Sequence, residues 1–323
     1  MKDSKSVFLI GLIFILFVSG CAAKLPAGTT TTAAPANVTT TTLPPTTTTI
    51  PGPEKIADGV SAFLISNSTI YYLSETEAKL YKYAKGSQPT ELASGIGIKT
   101  RNILDDGDYL YFTHEVGGAA KFSRVPKAGG QLEEKFSCSP GNLANLFSDD
   151  TYIYVLPTTG TFCRLLKTTF ASDGNFRLGV AGAGENLVYD SKNVFFPDTQ
   201  WIKKVPRIGK IEVGVLVSEV VKSNLLLDGT SIYWINKNNE LYKVGTDGKG
   251  KVLIAQKIDS KYIAQDTASI YFIENSDNSI KKIVKAGGAP VTLGKLSGPA
   301  SKIEVDTENI YWLQEGSLMK KRK

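Results

Sequence analysis

The sequence predicts an all-β fold: a β-propeller of seven four-stranded blades, each about 40 residues long. Three observations predict it. A β-branched or leucine residue followed by an aromatic recurs at Ile70-Tyr71, Leu110-Tyr111, Ile153-Tyr154, Val194-Phe195, Ile232-Tyr233, Ile270-Tyr271 and Ile310-Tyr311. The aromatics stand 40, 43, 41, 38, 38 and 40 residues apart. No segment of the repeat sustains a helical apolar period, and Gly and polar turn clusters interrupt it every few residues, as short antiparallel strands require.

Each unit reads in one order. Four residues before the apolar member of the pair stands an Asp: Asp106, Asp149, Asp190, Asp228, Asp266 and Asp306, with Ser66 in the first copy. Asp and Ser accept hydrogen bonds from backbone two residues on and so make tight turns. Stretches such as "LLDGTSIYW" and "EVDTENIYW" therefore read as strand, turn, strand. A polar turn follows, "NKNN" or "ENSDN", then a third strand, "ELYKV" or "SIKKIVK". A Gly-rich turn, "TDGKG" or "KAGGAP", leads to a fourth, "KVLIAQ" or "VTLGK". The regular recurrence of the Asp residues argues for structural turn roles, not for one shared metal.

The last copy, "NIYWLQEGSLMKKRK", ends before a fourth strand. The segment "GPEKIADGV" stands before the first copy, where a fourth strand would be. A ring closes if this N-terminal strand completes the last blade, which removes open sheet edges. Six blades are the alternative, if the copy around "NVFF" is absorbed or the first copy stands aside; a linear β solenoid is another, though its coils are usually shorter.

Residues 1–20 read as a signal peptide: Lys2 and Lys5 precede an apolar run from Val7 to Val18, too short for the roughly 20 residues of a comfortable span. "VSGC" then resembles the lipobox of prokaryotic lipoproteins. The resemblance implies cleavage before Cys21 and lipid attachment to its thiol, hence membrane anchoring and an extracytoplasmic location, at the cell surface or in the periplasm. Residues 21–53 form a tether. Of the 29 residues from 25 to 53, twelve are Thr and six Pro, so little can be buried to offset the entropy of ordering. The propeller occupies residues 54–323. Asn37 and Asn67 begin N-glycosylation sequons.

The repeated "IYW", with Asp upstream and Lys downstream, resembles the YWTD propellers of low-density-lipoprotein receptors and similar bacterial lipoproteins. That resemblance covers residues 54–323. It implies the propeller fold, usually with six blades; here Thr-Asp follows no "YW".

Chemistry is sparse. The chain has one His, His114 in "FTHEV", expected as a loop residue just after a second strand. No nucleophile elbow, zinc-ligand spacing or phosphate loop is present, so no catalytic residue, metal ligand or cofactor is assigned. Cys138 and Cys163, outside the cytoplasm, are expected to form a disulfide between the second and third blades. Net charge is +6, and cations gather in the third strands: Lys79, Lys82 and Lys85; Lys121, Arg124 and Lys127; Lys203, Lys204 and Arg207; Lys281, Lys282 and Lys285. They are expected to form a solvated ring near the outer rim; a sharper reading is attraction to anionic polymer or lipid. The functional expectation is a monomeric, lipid-anchored module that binds an envelope protein or a glycan and not nucleic acid. The alternative is a hydrolase or lactonase with a metal in the central channel.

Overall fold

Successive side chains of a strand point to opposite faces. A sheet covered on both faces therefore needs apolar residues in an unbroken run, and Ile-Tyr-Trp is such a run. The computed structural model describes residues 52–99, 102–136, 143–157, 161–177, 187–207 and 212–323. The chain divides into Met1–Thr48 and Thr49–Lys323, and every described residue belongs to the second unit. The signal peptide, Cys21 and the tether up to residue 51 lie outside the described residues.

The second unit is a seven-bladed β-propeller of four-stranded antiparallel sheets. Blades 1 to 6 each take four consecutive strands, beginning with Val60–Ser66, Ile103–Asp106, Leu143–Ser148, Val188–Tyr189, Leu226–Asp228 and Ile263–Gln265. Blade 7 takes Ala300–Val305, Asn309–Gln314 and Ser317–Arg322, and its outer strand is Glu54–Ala57 from the other end of the domain. The register pairs Glu54 with Lys320, Lys55 with Met319 and Ala57 with Leu318. An ion pair of 3.1 Å joins Lys320 to Glu54, and the Ser317 hydroxyl donates to Asp58 at 2.6 Å. Seven blades and the clasp are thus found as the repeat predicts, and the six-bladed alternative is not.

The repeated phrase explains how blades hold one another. In blade 7, Ile310 and Trp312 pack back against blade 6, beside Tyr271 and Ile273. Tyr311 packs forward against Phe63, Ile70 and Tyr72 of blade 1. Blade 5 does the same: Ile232 and Trp234 face blade 4, and Tyr233 faces Phe272 of blade 6. All of these side chains are buried, and burying each fully stabilises by about 1.5–3 kcal/mol. The core is therefore seven separate interfaces, each shared by two neighbouring blades.

The Gly-rich turn between third and fourth strands is constrained by the blade before it. A Cβ on Gly248 (φ 84°) would stand 3.3 Å from Leu216 O, and one on Gly287 (φ 99°) 3.3 Å from Ile254 O. Both carbonyls belong to the outer strand of the preceding blade. Glycine supplies the positive φ and the close approach together.

Candidate functional site

The first strands of the seven blades surround a central channel of about 650 Å³. The inner edge of each such strand has no strand beside it, so its backbone groups need other partners. Side chains from neighbouring blades provide them. Asn224 of blade 5 donates to Ile263 O at 2.9 Å and accepts from Ile263 N at 2.8 Å. Gln265 of blade 6 donates to Leu227 O at 2.7 Å. Glu304 of blade 7 accepts from Ile65 N of blade 1 at 2.9 Å, and Lys302 donates to Phe63 O. Lys302 and Glu304 also pair at 3.1 Å. The register shifts between Ser301 and Ile303, and Lys302 between them has φ 42°; the bulge places both charged groups at the blade 7–blade 1 junction. Asn102 donates to Asn145 at 3.2 Å across the blade 2–blade 3 junction.

The sequence carries a signal for this lining. Asn102, Asn145 and Asn224 each stand four residues before the turn Asp of their blade. Asn186 has the same place in blade 4 and lies outside the described residues. Among the described residues that line the channel, Glu304 is the one carboxylate. Among the described residues, no group of three or more His, Cys, Asp or Glu stands together as a metal site.

His114 corrects the loop expectation. It lies within the second strand of blade 2, Tyr109–Val116, and is buried. Its Nδ1 accepts from Gly97 N at 2.8 Å, so Nε2 carries the proton toward the Ser123 hydroxyl at 2.7 Å. Burial pushes its pKa below the ordinary value, against the pull of Glu134. Three residues past the paired aromatic, His114 occupies a repeated position. Glu274 there accepts from Asp259 N at 3.0 Å, Asn236 donates to Glu219 at 2.9 Å, and Gln314 donates to the Ser297 hydroxyl. Each partner lies in the connector arriving from the preceding blade. His114 is one of a set of connector latches.

The six turn aspartates fall into two geometries. Asp149, Asp190, Asp266 and Asp306 each accept through Oδ1 from the backbone N–H groups two and three residues on, at 2.6–3.0 Å. In three of them Oδ2 also accepts the hydroxyl of the tyrosine five residues on: Tyr154 at 2.6 Å, Tyr271 at 2.7 Å and Tyr311 at 2.7 Å. Blade 4 has Phe195 there. Burial acts to raise the carboxyl of Asp266, but bonds from Lys323, Tyr271 and two amides outweigh it and hold it well below the usual range. Asp106 and Asp228 differ, because Gly107 (φ 61°) and Gly229 (φ 56°) make their turns.

Those carboxylates face cations of the next blade. Lys167 of blade 3 pairs with Asp106 of blade 2 at 2.5 Å, Lys285 of blade 6 with Asp228 of blade 5 at 2.5 Å, and Lys323 of blade 7 with Asp266 of blade 6 at 2.6 Å. Lys85 of blade 1 reaches Glu308 of blade 7 across the closure, and Arg207 of blade 4 donates to Ser148 O of blade 3. Other third-strand cations pair at 2.7–3.0 Å: Lys79 with Glu91, Lys121 with Glu134, Arg124 with Glu133. Lys203 pairs with Asp198, and Lys281 with Asp277 at 3.2 Å. The expected solvated ring is largely a set of straps between strands and blades. Cys163 stands in the third strand of blade 3, Thr161–Leu166; its side chain and Cys138 lie outside the described residues, and so does their pairing.

By sequence, no family model and no curated protein matches the chain. By structure it is similar to virginiamycin B lyase from Staphylococcus aureus, with TM-score 0.67 and 14% identity over 84% of this chain and 97% of that one. A catalytically inactive His-to-Ala form of that lyase, with quinupristin, gives TM-score 0.66, 14% identity, and coverage of 84% and 99%. BamB from Moraxella catarrhalis gives 0.55, 14% identity, and coverage of 82% and 86%. The extracellular domain of a one component system from B. thetaiotaomicron gives 0.63 and 13%, over 84% of this chain and 40% of that one. At these identities the likeness is one of fold.

Proposed function

We propose that the chain is a lipid-anchored, extracytoplasmic binding module. Cys21 carries the lipid, residues 21–53 form the tether, and the monomeric propeller of residues 54–323 engages an envelope protein or a glycan through the loops of one face. The observation that carries this reading is where the chain enters the ring. Glu54–Ala57 is the outer strand of blade 7, with Glu54 and Lys55 exposed. The propeller's N-terminal strand therefore lies at the rim of the ring, on neither loop face. An extracellular domain among proteins of similar fold is consistent with it.

The enzymatic alternative has less to work with. His114 is committed inside blade 2, and Glu304 is committed to Ile65 and Lys302. The test is expression of the full chain and of Cys21→Ser in a bacterial host. The parent protein should enter the detergent phase and carry acyl chains on an N-terminal Cys21; Cys21→Ser should stay aqueous. Photocrosslinkers placed in the loops of either face should capture one partner from one face. Identical partition of both proteins would remove the anchor from the account. Equal capture from both faces would remove the binding face.

A further inference from the structure

The outer strands of the seven blades are not alike in charge. Those of blades 1, 2, 3 and 7 each carry an acid: Glu91, Glu133 and Glu134, Asp173, and Glu54. Those of blades 4, 5 and 6, Gly214–Ser218, Val252–Ala255 and Val291–Lys295, carry none. In their place stand exposed valines: Val215 is 57%, Val252 47% and Val291 54% exposed. The register sets the last two opposite lysines of the third strand, Val252 opposite Lys243 and Val291 opposite Lys282. At the matching place in blade 2, Arg124 faces Glu133 and pairs with it; in blade 7, Lys320 faces Glu54 and pairs with it. Among the described residues Lys243 and Lys282 have no such partner. On blades 5 and 6 the rim is therefore cationic and apolar together, blade 4 extends its apolar part through Val215, and the arc adjoins blade 7, where Glu54–Ala57 enters.

We infer that the rim of blades 4–6 rests on an anionic lipid surface, an inference that adds a second contact to the anchored reading above. Lysines near an anionic bilayer are attracted within a Debye length. Valine is short, so the apolar contact is shallow and charge dominates. The tether makes this contact intramolecular, so a weak affinity is enough to orient the ring. With the rim of blades 4–6 against lipid, the loop faces stand at its sides, open to partners.

The test uses the chain from residue 21 onward with Cys21→Ser, so that no acyl chain contributes. Flotation is measured with phosphatidylcholine vesicles with and without phosphatidylglycerol. The protein should float with the anionic vesicles alone and be released by salt. Lys243→Gln with Lys282→Gln should weaken binding roughly thirtyfold, the effect of two lysines near such a surface. Lys82→Gln with Lys135→Gln, on the rim of blades 1 and 2, should leave it unchanged; near-UV circular dichroism checks that both pairs fold. Absence of flotation, salt-insensitive binding, or equal loss in both pairs overturns the inference. Because Cys21 is absent here, acylation in the full chain is judged separately and the two readings fail independently.

Discussion

At the residue scale, His114 shows why a lone histidine is poor evidence of chemistry. Both ring nitrogens are engaged, and the same place in blade 7 holds Gln314. Its folded pKa lies below its unfolded value, because burial disfavours the charged ring. The unfolded chain therefore takes the proton first, near pH of about 6.5. The stability linked to His114 is complete above that pH and declines as pH falls below it. Replacing His114 with Gln should flatten the fall in denaturant midpoint between about pH 6.5 and 5. Parallel pH profiles for the two proteins would contradict this. The sequence offered the needed clue, since aligning the blades three residues past the aromatic gives Ser74, His114, Pro157, Asp198, Asn236, Glu274 and Gln314, polar in every blade but the third. A column of polar residues in a buried strand points to hydrogen bonding before catalysis.

At the scale of the element, the turn between first and second strands has two solutions for one shape. A glycine at positive φ makes the turn by itself in blades 2 and 5. Where no glycine follows the Asp, the carboxylate holds the turn by accepting two amides. Asp266→Ala removes those bonds and the acceptors of Tyr271 and Lys323, and should cost about 2–3 kcal/mol in urea unfolding. Asp228→Ala removes an ion pair to Lys285 that is half-exposed on the Asp side, and should cost about 1 kcal/mol or less. Equal losses would show that the two turns are held alike. The spelling difference, Asp-Gly against Asp without Gly, was present in the sequence. The strap from Lys285 to Asp228 was harder to see, because its partners are 57 residues apart, as are Lys323 and Asp266. That offset is one and a half repeats, and a search for whole repeats passes over it.

At the scale of the whole molecule, the period and the truncated last copy were enough to foresee the ring, because both are statements about residue spacing. The charged part of the channel wall was not, because its contacts arise only when the first and seventh blades meet. Lys302 and Glu304 bond to Phe63 and Ile65, 239 residues away. The proposed binding face and the proposed lipid-facing, cationic rim depend on that closure as well, since the chain enters the ring through the clasp. The closure can be tested directly by placing cysteines at Lys55 and Met319, which the register sets opposite one another, with Cys21, Cys138 and Cys163 replaced by Ser. Mild oxidation of the folded protein should join the two ends of the domain in nearly every molecule and shift its migration in denaturing gels. Failure to crosslink, with the fold otherwise intact by circular dichroism, would mean that Glu54–Ala57 does not complete blade 7.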